Sequence, residues 1–172
     1  GNPLFVEEIV RSLAGRGLLV QKDGRWVCED PCDSMDVPPT LYGLLLSRID
    51  GLDMDDRRVL QEAAVWGAGF ESALLQRIAA EPAAIEAALG RLAAADLIRP
   101  EGQAWCFSHA LLHEVAYQNL LLSRRTELHR RAGFALEAVW GVDAQAPIDD
   151  QAHSSLRLVE LEALAHHWSL SP

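Results

Sequence analysis

Four side chains able to react or to ligate lie close together in this chain: Cys106, Ser108, His109 and His113. The spacing C-x2-H-x3-H sets the two histidines one helical turn apart, on one face if the stretch is helical. A thiolate and two imidazoles suit zinc, but a structural site needs four ligands and a catalytic one three plus an open position. No fourth ligand follows, and Glu114 does not complete the H-E-x-x-H of a metalloprotease. The expected reading is a helix that opens with polar side chains. Ser108 beside His109 has the types of a nucleophile and its base, without a G-x-S-x-G elbow or an oxyanion-hole loop. Cys28 and Cys32 flank a turn-rich acidic stretch and bring no further ligands. The phosphate-cradling pattern G-x-x-x-x-G-K-[ST] is absent, and the one lysine, Lys22, falls in a hairpin turn. No complete catalytic site and no metal site is expected.

Bulk properties narrow the partners. The 172 residues are 49% hydrophobic and carry a net charge of −10, with residues 101–141 balanced and the remainder acidic. Nucleic acid is bound by neutralising phosphates with Lys and Arg, so the charge has the wrong sign for it. Anionic lipid is repelled in the same way. No apolar run approaches the length of a membrane span, and no secretory pattern opens the chain. Neither nucleic acid nor membrane is expected as a partner. Three cysteines are too few for a disulfide framework, and a cytoplasmic location is expected.

The elements that position these groups follow from periodicity. Leu4, Phe5, Ile9, Val10 and Leu13 stripe a first helix, with Glu7 and Glu8 in its first turns where the helix dipole favours acid. Leu18–Val20 and Arg25–Cys28 read as a hairpin turning through Lys22-Asp23-Gly24, and the proline-bearing stretch 29–39 as a linker. Thr40 and Asp53 are placed to cap two helices, buried through Leu41, Leu44, Leu45 and Ile49 and through Val59, Leu60, Ala63 and Ala64. A short helix over Ser72–Ala79 follows. Pro82 opens another, buried through Ile85, Leu89, Leu92 and Ala93. A second hairpin joins Leu97–Arg99 to Ala104–Phe107. Helices in this order followed by a hairpin read as a winged helix-turn-helix.

The two helix-plus-hairpin segments echo each other. At a fixed offset of 79 residues Glu7 meets Glu86, Val10 meets Leu89, Leu13 meets Leu92, Leu18 meets Leu97, Leu19 meets Ile98, and Trp26 meets Trp105. Duplication would give this, but so would the shared need of any helix on a small hairpin for apolar residues at those places, which is the expected reading. Beyond the second hairpin, helices are expected over His109–Leu122 and Arg124–Val139, the latter striped by Leu128, Ala132, Ala135, Leu136 and Val139. A linker over 140–155 and a last helix through Leu158, Leu161, Leu164, Ala165 and Trp168 follow. Arg124, Arg125, Arg130 and Arg131 form the one basic concentration, expected to be a solvated helix side, with an anion or interdomain docking site as the alternative.

Taken together, these segments resemble part of the STAND-type signalling ATPases, a branch of the AAA+ nucleoside triphosphatases. GNPLFVEEIVRSLAGRGLL is similar to the end of their helical lid, and VPPTLYGLLLSRIDGLDMDDRRVLQEAAVWGAGF to the start of their winged-helix domain. WCFSHALLHEVAYQNLL and SRRTELHRRAGFALE look like the passage from the wing into a tetratricopeptide (TPR)-like array. The resemblance implies a mainly α chain: lid end with a hairpin over 1–36, winged helix with the second hairpin over 37–108, and a helical linker starting a TPR-like α-hairpin over 109–172. It implies a fragment, continued on both sides, that relays nucleotide state to an output domain, foremost an adenylate or guanylate cyclase. A DNA-binding winged-helix regulator and a plain interaction scaffold are the alternatives. Gly1-Asn2-Pro3 matches the family's G-x-P motif, whose proline packs near adenine, so Pro3 is an implied nucleotide contact. Phe107-Ser108-His109-Ala110-Leu111 resembles the methionine-histidine-aspartate motif, whose histidine contacts the ADP phosphate; the acidic neighbour is here Ala110. ATP or ADP in the intact parent is thus the implied cofactor, held in part by Pro3 and His109. Other domains of the same chain, and proteins bound by the TPR-like region, are the implied partners.

Overall fold

A proline's fixed φ and missing N–H suit the first turn of a helix, and α1 begins at Pro3 and runs to Gly15. The computed structural model describes residues 3–15, 19–22, 25–28, 40–140 and 165–170. These fall in two units, Gly1–Asp53 and Met54–Pro172. The boundary expected at 36/37, the linker expected over 140–155, and Leu158, Leu161 and Leu164 of the last helix lie outside the described residues.

In the first unit α1 packs on an antiparallel hairpin, β1 (Leu19–Lys22) and β2 (Arg25–Cys28), with Leu19 opposite Cys28 and Lys22 opposite Arg25. Helix α2 (Leu41–Asp50) also lies against α1. It starts where expected: Thr40 is extended, and its Oγ1 accepts the Gly43 N–H at 3.1 Å. Leu44, Leu45 and Ile49 turn inward. Glu8, expected to serve the helix dipole, does something else. Its carboxylate is buried, takes Arg48 Nη1 at 2.9 Å on both oxygens, and takes Arg11 Nη1 at 2.9 Å on Oε1. An acidic group with so little water requires such partners, so α1 and α2 are joined by charge as well as by apolar packing.

The second unit opens with α3 (Met54–Ala64), β3 (Gly69–Phe70), α4 (Ser72–Ile78) and a 3-10 turn at Pro82–Ala84 that runs into α5 (Ile85–Ala94). A hairpin, β4 (Ile98–Glu101) and β5 (Ala104–Phe107), and two helices, α6 (Ala110–Gln118) and α7 (Leu122–Trp140), complete it. The unit is thus mainly helical, with a three-stranded antiparallel sheet in the order β3-β5-β4. Strand β3 is an addition to the sequence reading, because two residues are too short for any periodicity. The expected core positions of α3 are all buried, as are Ile85, Leu89 and Leu92 of α5. On α7, Leu128, Ala132, Ala135 and Leu136 are buried, whereas Val139, expected in the stripe, is exposed. Helix α6 stops at Gln118, short of the expected Leu122. Among the described residues no helix is long and apolar enough to cross a membrane.

The 79-residue echo extends to the backbone. Helices α1 and α5 end at Gly15 and Ala94, strands β1 and β4 start at Leu19 and Ile98, and β2 and β5 start at Arg25 and Ala104. All four cross-strand pairs of the first hairpin, from Leu19 with Cys28 to Lys22 with Arg25, recur at that offset as Ile98 with Phe107 through to Glu101 with Ala104. Shared apolar chemistry alone leaves turn length and register free to differ, so this coincidence favours one building block used twice over a merely shared apolar pattern. The second copy carries a φ of +54° at Asp96, a left-handed position after a helix end that favours glycine; the sequence equivalent in the first copy is Gly17.

The Thr40 cap carries a stability prediction. Replacing a capping threonine by alanine costs about 1 kcal/mol. Thr40→Ala should therefore lower the denaturant midpoint of the first unit, followed by hydrogen exchange of the α2 amides, while Thr40→Ser leaves it within about 0.3 kcal/mol. Equal loss in both variants would assign the effect to the lost methyl group instead.

Candidate functional site

Strand β5 lies between its two neighbours and delivers the motif Phe107-Ser108-His109 from the middle of the sheet. The Phe107 N–H donates to the Ala68 carbonyl at 2.8 Å and the Ser108 N–H to the Leu97 carbonyl at 3.0 Å. Phe107 is buried edge-on against Phe70 and against His113. His109 then takes the N-cap position of α6 with an extended backbone. Its carbonyl accepts the Leu112 and His113 N–H groups, and its imidazole makes no capping hydrogen bond. Pro3, the other implied nucleotide contact, is exposed at the start of α1 in the first unit.

The remaining reactive residues are separated by their partners. His113 Nε2 lies 2.9 Å from the Ala64 carbonyl, so the imidazole must be the donor there and closes the end of α3. The neighbouring Glu101 carboxylate, and then burial, hold the Cys106 thiol above its usual pKa range. Ser108 Oγ is 3.5 Å from Asp96 Oδ1, not from a base. Among the described residues no group of three or more His, Cys, Asp or Glu is arranged to hold a metal ion. Cys32 lies outside the described residues, and Cys28 is described only as a backbone position of β2.

The arginine cluster departs from its expected reading. A solvated helix side was expected, but three of the four guanidiniums on α7 are spent on other elements of the same unit. Arg124 Nη2 meets Glu62 Oε1 of α3 at 2.7 Å. Arg125 Nη2 donates to the Tyr117 carbonyl at 3.0 Å and lies over the Tyr117 ring, 4.3 Å from its centroid. It also reaches the Gln118 and Leu120 carbonyls, so a cation serves the C-terminal end of α6, where the helix dipole favours it. Arg131 Nη2 donates to the Ala79 carbonyl that follows α4. Arg130 alone stays on the outer side, paired with Glu127. Helix α7 is thereby tied to α3, α4 and α6.

Glu62 is the demanding member. It is 1% exposed, and its Oε2 has no hydrogen-bond partner among the described residues. Burial raises its pKa, against the lowering by the charges of Arg124, Arg58 and Arg131. A raised acid pKa means that the folded state holds a proton more tightly than the unfolded one. With respect to this group, stability is fullest below the unfolded pKa near 4.5 and declines as pH rises through the folded value.

A second feature was not recognised in the sequence: two buried histidines. His129 of α7 and His167 of the helical stretch 165–169 face each other, Nδ1 to Nδ1, at 2.9 Å. The Tyr117 hydroxyl lies 2.9 Å from His129 Nε2, and the Trp66 ring stands edge-on to His167. An unbroken column of rings results: Phe70, Phe107, His113, Tyr117, His129, His167 and Trp66. The signal for His129 was present, since it lies three residues before Ala132 and seven before Leu136 on the buried arc of α7. His167 likewise lies three residues after Leu164 and beside Trp168 in the stripe expected for the last helix. Comparison with protein-family models, with curated proteins and with solved structures finds no match to this chain.

Breaking a buried ion pair on one side is far costlier than removing both charges. Arg124→Met should destabilise the second unit by about 3 kcal/mol in urea unfolding, because Glu62 is left without its main partner. Glu62→Met combined with Arg124→Met should recover most of that loss, and Arg130→Ala, whose ion pair is exposed, should leave stability nearly unchanged. A double variant as weak as the sum of its singles would show that the two side chains act independently.

Proposed function

We propose that this chain is a relay module of a STAND-type signalling ATPase, passing nucleotide state from an ATPase domain to an output domain, foremost an adenylate or guanylate cyclase. The observation that carries the reading is the position of His109. It stands two residues past the end of the central strand, at the mouth of a nine-residue helix, with its imidazole uncommitted to capping. A helix start presents backbone N–H groups and a partial positive charge, which is the chemistry that binds a phosphate. For the winged helix proposed over 37–108, the order α3-β3-α4-α5-β4-β5 is the support, and α6 with α7 would open the TPR-like α-hairpin. ADP would be the ligand, with His109 toward its phosphate and Pro3 toward its adenine; bound, it supplies the anion that biases the module between its states. Cytoplasmic location, neighbouring domains of the same chain and proteins held by the TPR-like region belong to the same proposal.

The anchoring of α7 supports a relay. A shift of α6, which carries His109 at its start, is transmitted to α7 through Arg125 on the last carbonyls of α6 and through Tyr117 on His129. The DNA-binding alternative is weaker on a specific observation. Helix α5, which would enter the major groove, has Arg91 as its one basic residue, and Asp56 of α3 holds that guanidinium at 2.6 to 3.1 Å. Reading a base edge would require breaking that pair.

The test is His109→Ala in the intact protein. Loss of a charge-assisted hydrogen bond of about 1.5–3 kcal/mol should shift the closed-to-open ratio by roughly tenfold or more. ADP release should accelerate and basal output rise, with the melting temperature little changed. Lower stability with unaltered ADP release would leave His109 a structural residue, and sequence-selective binding of duplex DNA at nanomolar concentration would favour the regulator.

A further inference from the structure

The His129–His167 contact uses the ring nitrogen of His129 that the relay contact with Tyr117 leaves free, and its geometry is that of two bases sharing one proton position. Nitrogens 2.9 Å apart need a hydrogen between them, so one Nδ1 donates and the other accepts. If His129 donates, its Nε2 accepts from the Tyr117 hydroxyl; if His167 donates, His129 Nε2 is the donor to Tyr117. Either arrangement leaves both imidazoles neutral. Adding protons to both would place two N–H groups, each on a cation, against each other in a site that is 1% and 5% exposed.

The docking that this contact secures is small. Residues 165–169 are held on α7 by His167 and by Trp168, whose ring meets Phe134 edge-on and whose Nε1 donates to Glu137 at 3.2 Å. Gly133 lies beneath the indole, where a Cβ would stand 3.1 Å away and the ring would have to give by a few tenths of an ångström. We propose that the paired imidazoles of His129 and His167 are an acid-released clasp, whose protonation undocks the helical stretch 165–169 from α7 while the rest of the unit stays folded.

The surroundings favour release over accommodation of charge. From α6 the pair faces Tyr117, itself under the Arg125 guanidinium; from the end of α3, the Trp66 ring; from its own stretch, His166. Among the described residues no carboxylate hydrogen-bonds to either ring. Burial first, then the neighbouring positive charges of His167, His166 and Arg125, lower the pKa of His129 to about 4. Burial and then His166 lower that of His167 to about 4. The undocked groups regain a value near 6.5 and take up protons before the docked ones do. Docking is therefore complete above about pH 6.5 and weakens as pH falls from there toward 4, the opening equilibrium rising by up to about tenfold per pH unit for each histidine.

Hydrogen exchange of the full chain, corrected for intrinsic rates, reads this directly. Between pH 7 and pH 5 the opening of 165–169 should rise by more than about tenfold, while amides of α3 and α5 keep their protection. Unchanged opening, or simultaneous loss of protection throughout the unit, would overturn the proposal. His129→Gln with His167→Gln keeps polar groups in contact without a titration and should abolish the pH response, whereas His166→Gln should preserve it. Should the double variant fail to fold, nitrogen-15 NMR of histidine in the unaltered chain decides: two imidazoles titrating below pH 5 support the clasp, and ordinary values near 6.5 refute it. Protection of 165–169 that depends on added zinc at pH 7 would make the pair a metal clamp and would also refute it.

Discussion

A carboxylate removed from water must be answered, and in the second unit Glu62 of α3 is answered chiefly by Arg124 of α7 at 2.7 Å. Much of the arrangement follows from that requirement. Arg124 reaches Glu62 from the start of α7, a helix that packs on α4, and along the same helix Arg125 falls on the last carbonyls of α6 and Arg131 on the carbonyl after α4. Arg125 adds to the backbone N–H groups already on the Tyr117 carbonyl at the end of α6, and Arg131 meets the carbonyl at the end of α4. Apolar burial through Leu128, Ala132 and Leu136 supplies attraction without direction, and the charged contacts supply direction.

The same unit contains two polar demands with opposite sensitivity to protons. Glu62, its pKa raised by burial, is easier to bury when protonated. The histidine pair, lowered by burial, is easier to bury when neutral. Acidification therefore relieves one site on α7 while it loads the other. The Glu62 side gains as pH falls toward the ordinary carboxylate range, and the histidine side loses as pH falls below about 6.5. Arg124 and His129 are five residues apart on α7, about 140° around the helix, so the proposed clasp can release 165–169 without breaking the Arg124–Glu62 contact.

The legible parts of the fold were those set by short-range chemistry. Thr40 announced the start of α2, Pro82 the turn before α5, and the apolar stripes gave the buried faces of α2, α3 and α5 with few exceptions. Strand β3 was invisible because two residues have no period, and it exists only because β5 offers an edge. The buried carboxylates of Glu8, Asp56 and Glu62 were equally invisible. Their positions read as polar surface, and it is the distant partners Arg48, Arg91 and Arg124, 40, 35 and 62 residues away, that allow burial. The arginines of α7 form a cluster in the sequence that reads as solvated, since nothing local tells a guanidinium in water from one on another helix's carbonyl. His109 was legible as the residue between strand and helix, and His129 was overlooked although it lies on the apolar arc.

A relay requires α7 to move with the helices that precede it, so the central claim is that α7 and the helix-and-sheet body are one cooperative element. Native-state hydrogen exchange under increasing urea measures this most directly. The account predicts that the slowest amides of α7, at Leu128, Ala132 and Leu136, open with the same free energy and the same urea dependence as those at Leu60 and Ala63 of α3. Amides of α7 that open several kcal/mol below those of α3, with a small urea dependence of their own, would contradict it.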